Sequence, residues 1–396
     1  MRYRVWVELL TELFVGLVSN VLACYRPMMA TNRTPDAAFV ADESFVPTSH
    51  KGLTYPFGGR EPEEGGTMQV APGVRWVRLN VPGPLKHVNC WLLDDRDDRG
   101  DGVALIDAGM NRTETRDAWK SVFNGPLAGV RVTRMIGTHF HPDHIGLAGW
   151  MCDHHQAPLW MTRGEWLTAQ MLVADARPET PQEVSDFRRA CGWSDEQIEL
   201  AAARGWSNFG RIVRPMPLSY RRLVDGETIA IGGTGWRIVV GSGHSPEHAC
   251  LLDEANGVFI AGDQVLPRIS PNVSLGITEP ESDPLGEWFD SIAKLKREVP
   301  ADVLTLPGHG DPFLHLHIRL DAMDREHRGR LDELEAFLDE PRRVVDCFGR
   351  LFRRAIGQEV LGMATGEAMA HLKRLEVEGR AVRETDGDGI WRWRAI

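Results

Sequence analysis

Cysteine is scarce and never clustered. The six residues Cys24, Cys90, Cys152, Cys191, Cys250 and Cys347 are scattered through 396 positions with no C-x-x-C pair. That spacing excludes a disulfide scaffold and fits a reducing, cytoplasmic compartment. Long apolar runs are missing too, apart from one near the start. Val5 to Cys24 is largely apolar, follows Arg2 and Arg4, and ends in Val-Leu-Ala-Cys, in the manner of a lipoprotein cleavage site. Glu8 and Glu12 interrupt it, and carboxylates within a signal core or membrane span are costly. The stretch is therefore expected to be an amphipathic helix, or to precede a true start at Met28 or Met29. A signal or anchor in residues 1–24 is the lesser alternative. No other stretch approaches the roughly 20 apolar residues a span requires, so no membrane span is expected.

Positive charge is also in deficit. The formal net charge is −11, from 45 Lys and Arg against 56 Asp and Glu. Such a chain does not depend on broad phosphate attraction, so nucleic acid is not the favoured partner. The deficit is uneven: from Arg325 onward 14 basic residues balance 14 acidic ones. Internal repeats, low-complexity tracts and a G-x-S-x-G nucleophile elbow are all absent. With 42% hydrophobic and 26% charged residues, the chain has the composition of a globular protein with a large domain and a smaller one.

Residues 30–67 are rich in Pro, Gly, Thr and acidic residues without sustained periodicity, and read as an extended arm. Short strand-like runs follow at Val74–Leu79, Val88–Leu93 and Val103–Ile106, with a charged loop expected over Asp94–Gly102. A helix is expected around Thr113–Phe123, then an apolar strand over Val130–Ile136. Residues 160–222 read as a mainly helical insertion carrying Trp160, Trp166, Trp193 and Trp206. Strands resume at Trp236–Val240, Val258–Ile260 and Val303–Leu306, each leading into a loop with His or Asp. Strands alternating with helices imply a layered α/β domain. Beyond Gly310 helices dominate, at Leu331–Leu338, Arg342–Arg354 and Thr365–Glu378, before a terminal hairpin around Asp386-Gly387-Asp388-Gly389.

The densest chemistry lies in Thr138-His139-Phe140-His141-Pro142-Asp143-His144. In extended backbone, residues i and i+2 share a side, so His139 and His141 can converge on one cation. Pro142 restricts the turn, and Asp143 and His144 follow closely enough to serve a second. His244, Asp263 and His309 each stand just past a later strand-like run. Mixed imidazole and carboxylate donors suit zinc, with manganese or iron as substitutes.

This ordered set resembles the metallo-β-lactamase superfamily, in particular the glyoxalase II-like branch in which an aspartate bridges two metals. The resemblance covers about residues 70–312. It implies a four-layer αββα sandwich over residues 68–324, with the helical insertion 160–222; the composition before it makes residues 1–67 an N-terminal extension expected to be partly disordered. The three expected helices and terminal hairpin make residues 325–396 a small α+β winged-helix-like domain. The resemblance also implies two divalent metal ions, one on His139, His141 and His244 and the other on Asp143, His144 and His309, with Asp263 bridging. Asp107 stands where the family carries an acidic residue that orients a ligand histidine. His248 is placed in an orienting or substrate role, with a plain surface histidine as the alternative.

The function implied is hydrolysis by a metal-bound hydroxide, with Asp143 also guiding the proton. A thioester or related small-molecule ester is the leading substrate. Arg268 would anchor an anionic tail, Asn272 lies in the same pocket-forming segment, and Trp160 and Trp166 would wall an apolar channel. No cysteine occupies the bridging position, which argues against penicillin-type substrates. An endoribonuclease or phosphodiesterase is the second reading, because the tail resembles the winged-helix domain of family members that cleave RNA. Arg342, Arg343, Arg350, Arg353, Arg354, Lys373 and Arg374 would then contact phosphate, whereas packing or homodimerisation is the other role for the tail. A lactonase is a third, weakened because Leu266 stands where lactonases of this fold carry a tyrosine. A non-catalytic ligand-sensing protein would have lost ligands, and all seven are present.

Overall fold

The computed structural model describes residues 45–396 except Asn208. The apolar run Val5–Cys24 and the alternative start sites lie outside the described residues. Among those described, no helix is long and apolar enough to cross a membrane.

Two sheets form the centre. The first has seven strands in chain order: β3 (Met68–Ala71), β4 (Val74–Asn80), β5 (His87–Asp97), β6 (Gly100–Ile106), β7 (Val132–Ile136), β8 (Leu159–Met161) and β9 (Arg221–Arg222). The second has five: β10 (Thr228–Ile231), β11 (Thr234–Gly241), β12 (His248–Asp253), β13 (Val258–Gly262) and β14 (Leu304–Pro307). A short hairpin, β1 (Thr48–His50) and β2 (Leu53–Tyr55), precedes them.

Alternation along the strands sorts side chains into three apolar layers. Trp76, Trp91, Ile106 and Ile136 of the first sheet meet Trp236, Ile238, Leu251, Ile260 and Leu306 of the second. The outer face of the first sheet, including Val77, Cys90, Leu92 and Leu105, packs on Trp119 and Val122 of α1 (Thr113–Asn124) and Met151 of α3 (Ala148–His155). The outer face of the second, including Val239, Cys250 and Phe259, packs on Trp288 and Ile292 of α8 (Pro284–Glu298) and Leu320 of α9 (Leu316–Phe337). The result is the expected four-layer αββα order.

The insertion is helical, with α4 (Arg163–Ala174), α5 (Gln182–Ala190), α6 (Asp195–Ala202) and α7 (Phe209–Ile212). The chain ends in α10 (Phe348–Leu351), α11 (Leu361–Val377) and the hairpin β15 (Ala381–Thr385) and β16 (Trp391–Ala395). Helix α9 runs without a break through residue 325, carrying apolar contacts from the sandwich into the C-terminal helices.

Three local expectations need correction. The helix expected over Arg342–Arg354 is only a 3-10 turn at Val344–Cys347 running into the four-residue α10, with no helix from Phe352 to Val360. The charged segment Asp94–Gly102 is not a loop: β5 and β6 continue through it, pairing as far as Asp97 with Gly100. Its carboxylates are neutralised across the sheet, Asp94 by Arg75 at 2.5 Å and Asp97 by Arg131. The described end of the arm is a hairpin rather than featureless chain, because Leu53, Tyr55 and Phe57 bury their side chains.

Candidate metal centre

The site lies at one edge of the sandwich, where strands from both sheets end. Asp107 follows β6, Thr138 and His139 follow β7, His244 lies between β11 and β12, Asp263 follows β13 and His309 follows β14. The apolar strand interiors fix these ends, and the polar residues sit just beyond them. Pro142 opens the single-turn helix α2 (Pro142–Ile145), where its missing N–H leaves no bond unmade, and the turn brings Asp143 and His144 to the same centre.

All seven residues singled out as metal donors come together. His244 Nε2 lies 3.1 Å from His141 Nδ1 and 3.3 Å from His139 Nε2. His309 Nε2 lies 3.2 Å from Asp143 Oδ2 and 3.3 Å from Asp263 Oδ2, and His144 Nε2 lies 3.4 Å from Asp263 Oδ1. The donor atoms of His139, His141 and His244 fall within 4.8 Å of one another, as do those of Asp143, His144 and His309. His144 Nε2, His309 Nε2 and Asp263 Oδ1 are buried without a hydrogen-bond partner. These atoms are close together but not aimed at one another, which is how donors stand around a shared cation. The chain therefore fits the divalent metals the residues imply.

Backbone and neighbours hold each ring from behind. Asp107 Oδ2 lies 2.7 Å from His144 Nδ1, and the same carboxylate accepts the Thr138 N–H at 2.9 Å and its hydroxyl at 2.8 Å. Those bonds sustain a left-handed φ of 61° at Asp107, an uncommon conformation for a residue with a side chain. His309 donates from Nδ1 to the His87 carbonyl and His244 from Nδ1 to the Asn272 carbonyl, so each offers Nε2 to the centre. His248 is fully buried, not on the surface, and its Nε2 accepts the Asp263 N–H at 3.0 Å.

Glu165 and Gly308 carry no signal in their own sequence neighbourhoods that marks them for the site. Glu165, on α4, accepts the Phe140 N–H at 2.9 Å, the Glu247 N–H at 2.7 Å and the Ser245 hydroxyl at 2.7 Å. It thereby ties the His139–His141 loop to the His244 loop. At Gly308 a Cβ would collide with Asp263 Oδ1 and His144 Cε1, so only glycine lets the loop approach so closely.

Charge divides the centre. Burial, reinforced by neighbouring histidines, holds His139 well below its ordinary pKa and brings His141 to about 3. Burial opposes protonation of His144 and His309 as well, but the carboxylates win. Asp263, Asp107 and Asp143 raise His144 well above its ordinary value, and Asp263 and Asp143 raise His309 to about 10. Against their own burial, the same histidines hold Asp143 near 2 and Asp263 well below the carboxylate range. Positive charge is favoured where these groups meet, and a divalent cation would supply it in place of protons.

The residues read as substrate contacts are spread more widely. Trp166 stacks on Tyr220 at 4.6 Å and packs in the apolar layer that also holds Phe140, whose ring lies 4.5 Å from that of His141. Trp160 lies between the guanidinium groups of Arg134 and Arg221. Asn272 gives its carbonyl to His244 and its side-chain amide to Glu367. Arg268 is exposed and stands over Tyr55. Among the C-terminal cations, Arg342, Arg343, Lys373 and Arg374 are engaged by carboxylates of this chain.

A family model described as the metallo-beta-lactamase superfamily matches residues 83–309, more than half of the chain. The chain belongs to the metallo-β-lactamase superfamily. A second model, described as the metallo-beta-lactamase-like C-terminal domain, matches residues 331–396. Among solved structures, a beta-lactamase domain protein from Burkholderia ambifaria is similar at 38% identity and a TM-score of 0.80, covering 87% of this chain and 98% of that one. A hydroxyacylglutathione hydrolase of Francisella tularensis subsp. novicida is 28% identical over 28% of this chain and 44% of its own length. An atrochrysone carboxyl ACP thioesterase of Emericella nidulans is 28% identical over 47% of this chain and 59% of its own length. The chain thus spans about half the length of these two curated relatives. Membership of the metallo-β-lactamase superfamily makes it a hydrolase of a family that generally binds divalent metals, and the His and Asp cluster is the place for them.

Proposed function

We propose that this chain is a binuclear metallohydrolase of thioesters or related carboxylic esters. His139, His141 and His244 would hold one cation, Asp143, His144 and His309 the other, and Asp263 would bridge them. The observation that carries the reading is the reach of one carboxylate: Asp263 lies 3.3 to 3.8 Å from His144, His244 and His309. The imidazole and carboxylate donors suit zinc. Such a pair of cations supplies Lewis-acid activation of water and of the substrate carbonyl.

The chain's own residues do the rest. Asp107 fixes the tautomer of His144, and His248 anchors the backbone of Asp263. Asp143, kept ionised by His144 and His309, would accept a hydrogen bond from the attacking water and so orient it and guide its proton. In the overall reaction the water oxygen ends on the acyl carbon, the C–S bond breaks, and the thiol leaves with a proton. The thioester preference draws on the two relatives named above, one a thioesterase and the other a hydrolase of hydroxyacylglutathione. The RNA reading loses support because so many of the C-terminal cations are already paired within the chain.

The test is metal content by mass spectrometry together with turnover on acyl thioesters, lactones and short RNA. Asp263→Ala is expected to lose metal and at least about 100-fold in activity, since even the partners behind metal ligands cost 10–100-fold. A variant that kept two metals and full turnover would overturn the bridging assignment. RNA cleavage without thioester turnover would overturn the substrate class.

A further inference from the structure

Next to the segments that follow Asp263 and His309 is a concavity of about 560 Å³. Parts of the chain far apart in sequence form its walls: the β1–β2 hairpin, the segment Pro267–Ser270 that follows Asp263, helix α9 and residues 352–353. Two lining residues, Pro267 and Glu367, touch the metal-ligand loops. Pro267 abuts Gly310, next to His309, and Glu367 accepts from the side chain of Asn272, whose carbonyl holds His244.

The charge of this cavity runs against that of the chain. Five lining side chains are basic (Lys51, Arg268, Arg319, Arg330 and Arg353), and two are acidic, Glu326 and Glu367. Arg319 is engaged by the carbonyls of Leu266 and Ile269, and Arg330 by both glutamates. Of the other three, only Arg268 has a carboxylate in reach. Lys51 and Arg353 are exposed with no carboxylate within 4.0 Å among the described residues, and Arg268, 62% exposed, reaches Asp311 only at 4.0 Å. Three cations face one concavity with a single carboxylate, Asp311, in reach of them, a setting that favours a multiply charged anion. Exposed Ile269 and Ile318, with Phe352, add apolar surface for an organic body. The volume suits a small molecule.

We propose that this cavity binds the phosphate-bearing part of a nucleotide-type thiol carrier, with Lys51, Arg268 and Arg353 on the phosphates. This rests on the thioesterase reading and names the substrate class: acyl thioesters of a phosphorylated carrier. A single carboxylate would satisfy one of the three cations, whereas a set of phosphates satisfies all of them.

Calorimetric titration of coenzyme A into the full-length, metal-loaded protein tests it. Coenzyme A should bind, more weakly at high salt. Lys51→Ser and Arg353→Ser together should weaken it at least about tenfold, the scale of lost hydrogen bonds to charged groups. Pantetheine, the same thiol without the nucleotide, should bind at least about tenfold more weakly than coenzyme A in the unaltered protein. Both side chains are exposed, so the variant should keep its near-UV circular dichroism. No binding of coenzyme A, or equal binding by the variant, would overturn the proposal. So would short single-stranded RNA that binds through Lys51 and Arg353 where coenzyme A does not. Because the readout is affinity, the two readings separate. Coenzyme A bound through these residues without thioester turnover would sink the activity and keep the site, and turnover without such binding would do the reverse.

Discussion

His327 and His371 are as deeply buried as His139 and His144, but the two pairs have different surroundings. His327, on α9, and His371, on α11, lie ring to ring with nitrogens 3.2 Å apart, and His371 donates to the Glu367 carbonyl one turn earlier. Trp288 and Phe289 cover His327, and neither imidazole pairs with a carboxylate among the described residues. Burial then acts almost unopposed, bringing His327 to about 2 and His371 to about 4. At the strand ends the same burial is outweighed at His144 and His309 by Asp107, Asp143 and Asp263. Burial by itself makes a neutral histidine that fills a core and bridges helices. Inward carboxylates lacking other donors turn such a cluster into a seat for a cation.

The sharpest way to break this contrast is to remove metal. Chelation should lower the melting temperature of the protein, by about 4 kcal/mol of stability where free metal had stood a thousandfold above its dissociation constant. The same shift should appear in His327→Phe, because that pair holds none. A thermal melt that chelator leaves unmoved would erase the distinction. A smaller effect is expected from Glu165→Ala. It strands two backbone N–H groups and a hydroxyl between the ligand loops, at about 2 kcal/mol in stability and about 10–100-fold in metal affinity. Thermal melts and metal titration of the variant read both. Unchanged metal affinity would show that the loops do not need the clamp.

Much of the centre was legible because its information is local. Alternation in extended chain puts His139 and His141 on one side, and an apolar strand pins the remaining donors at its end. Asp107 was legible for the same reason. Glu165 was not, because it acts on backbone N–H groups from a helix in the insertion, and nothing in its own neighbourhood marks it. Gly308 was missed because its role is the absence of a side chain against Asp263. The charged run Asp94–Gly102 was misread as a loop because a sequence displays charges without their partners, and Arg75 and Arg131 supply those partners across the sheet. The same blindness applied to Arg342, Arg343, Lys373 and Arg374, which looked free for phosphate and are bound within the chain.

The smallest effect belongs to the apolar pair, and it has a definite sign. Folded His327 and His371 resist protonation until about pH 2 and 4, whereas an unfolded histidine takes up a proton near 6.5. Between pH 6.5 and 4 the unfolded chain therefore binds more protons, and stability falls as pH falls through that window. At pH 5.5 the loss is about 1 kcal/mol for each ring relative to neutral pH. The metal centre titrates as well, so the informative quantity is a difference: urea melts from pH 7 to 5 should lose stability less steeply in His327→Phe than in the unaltered protein. Equal slopes would mean that the His327–His371 pair opens to water before it protonates, and that burial does not hold it neutral.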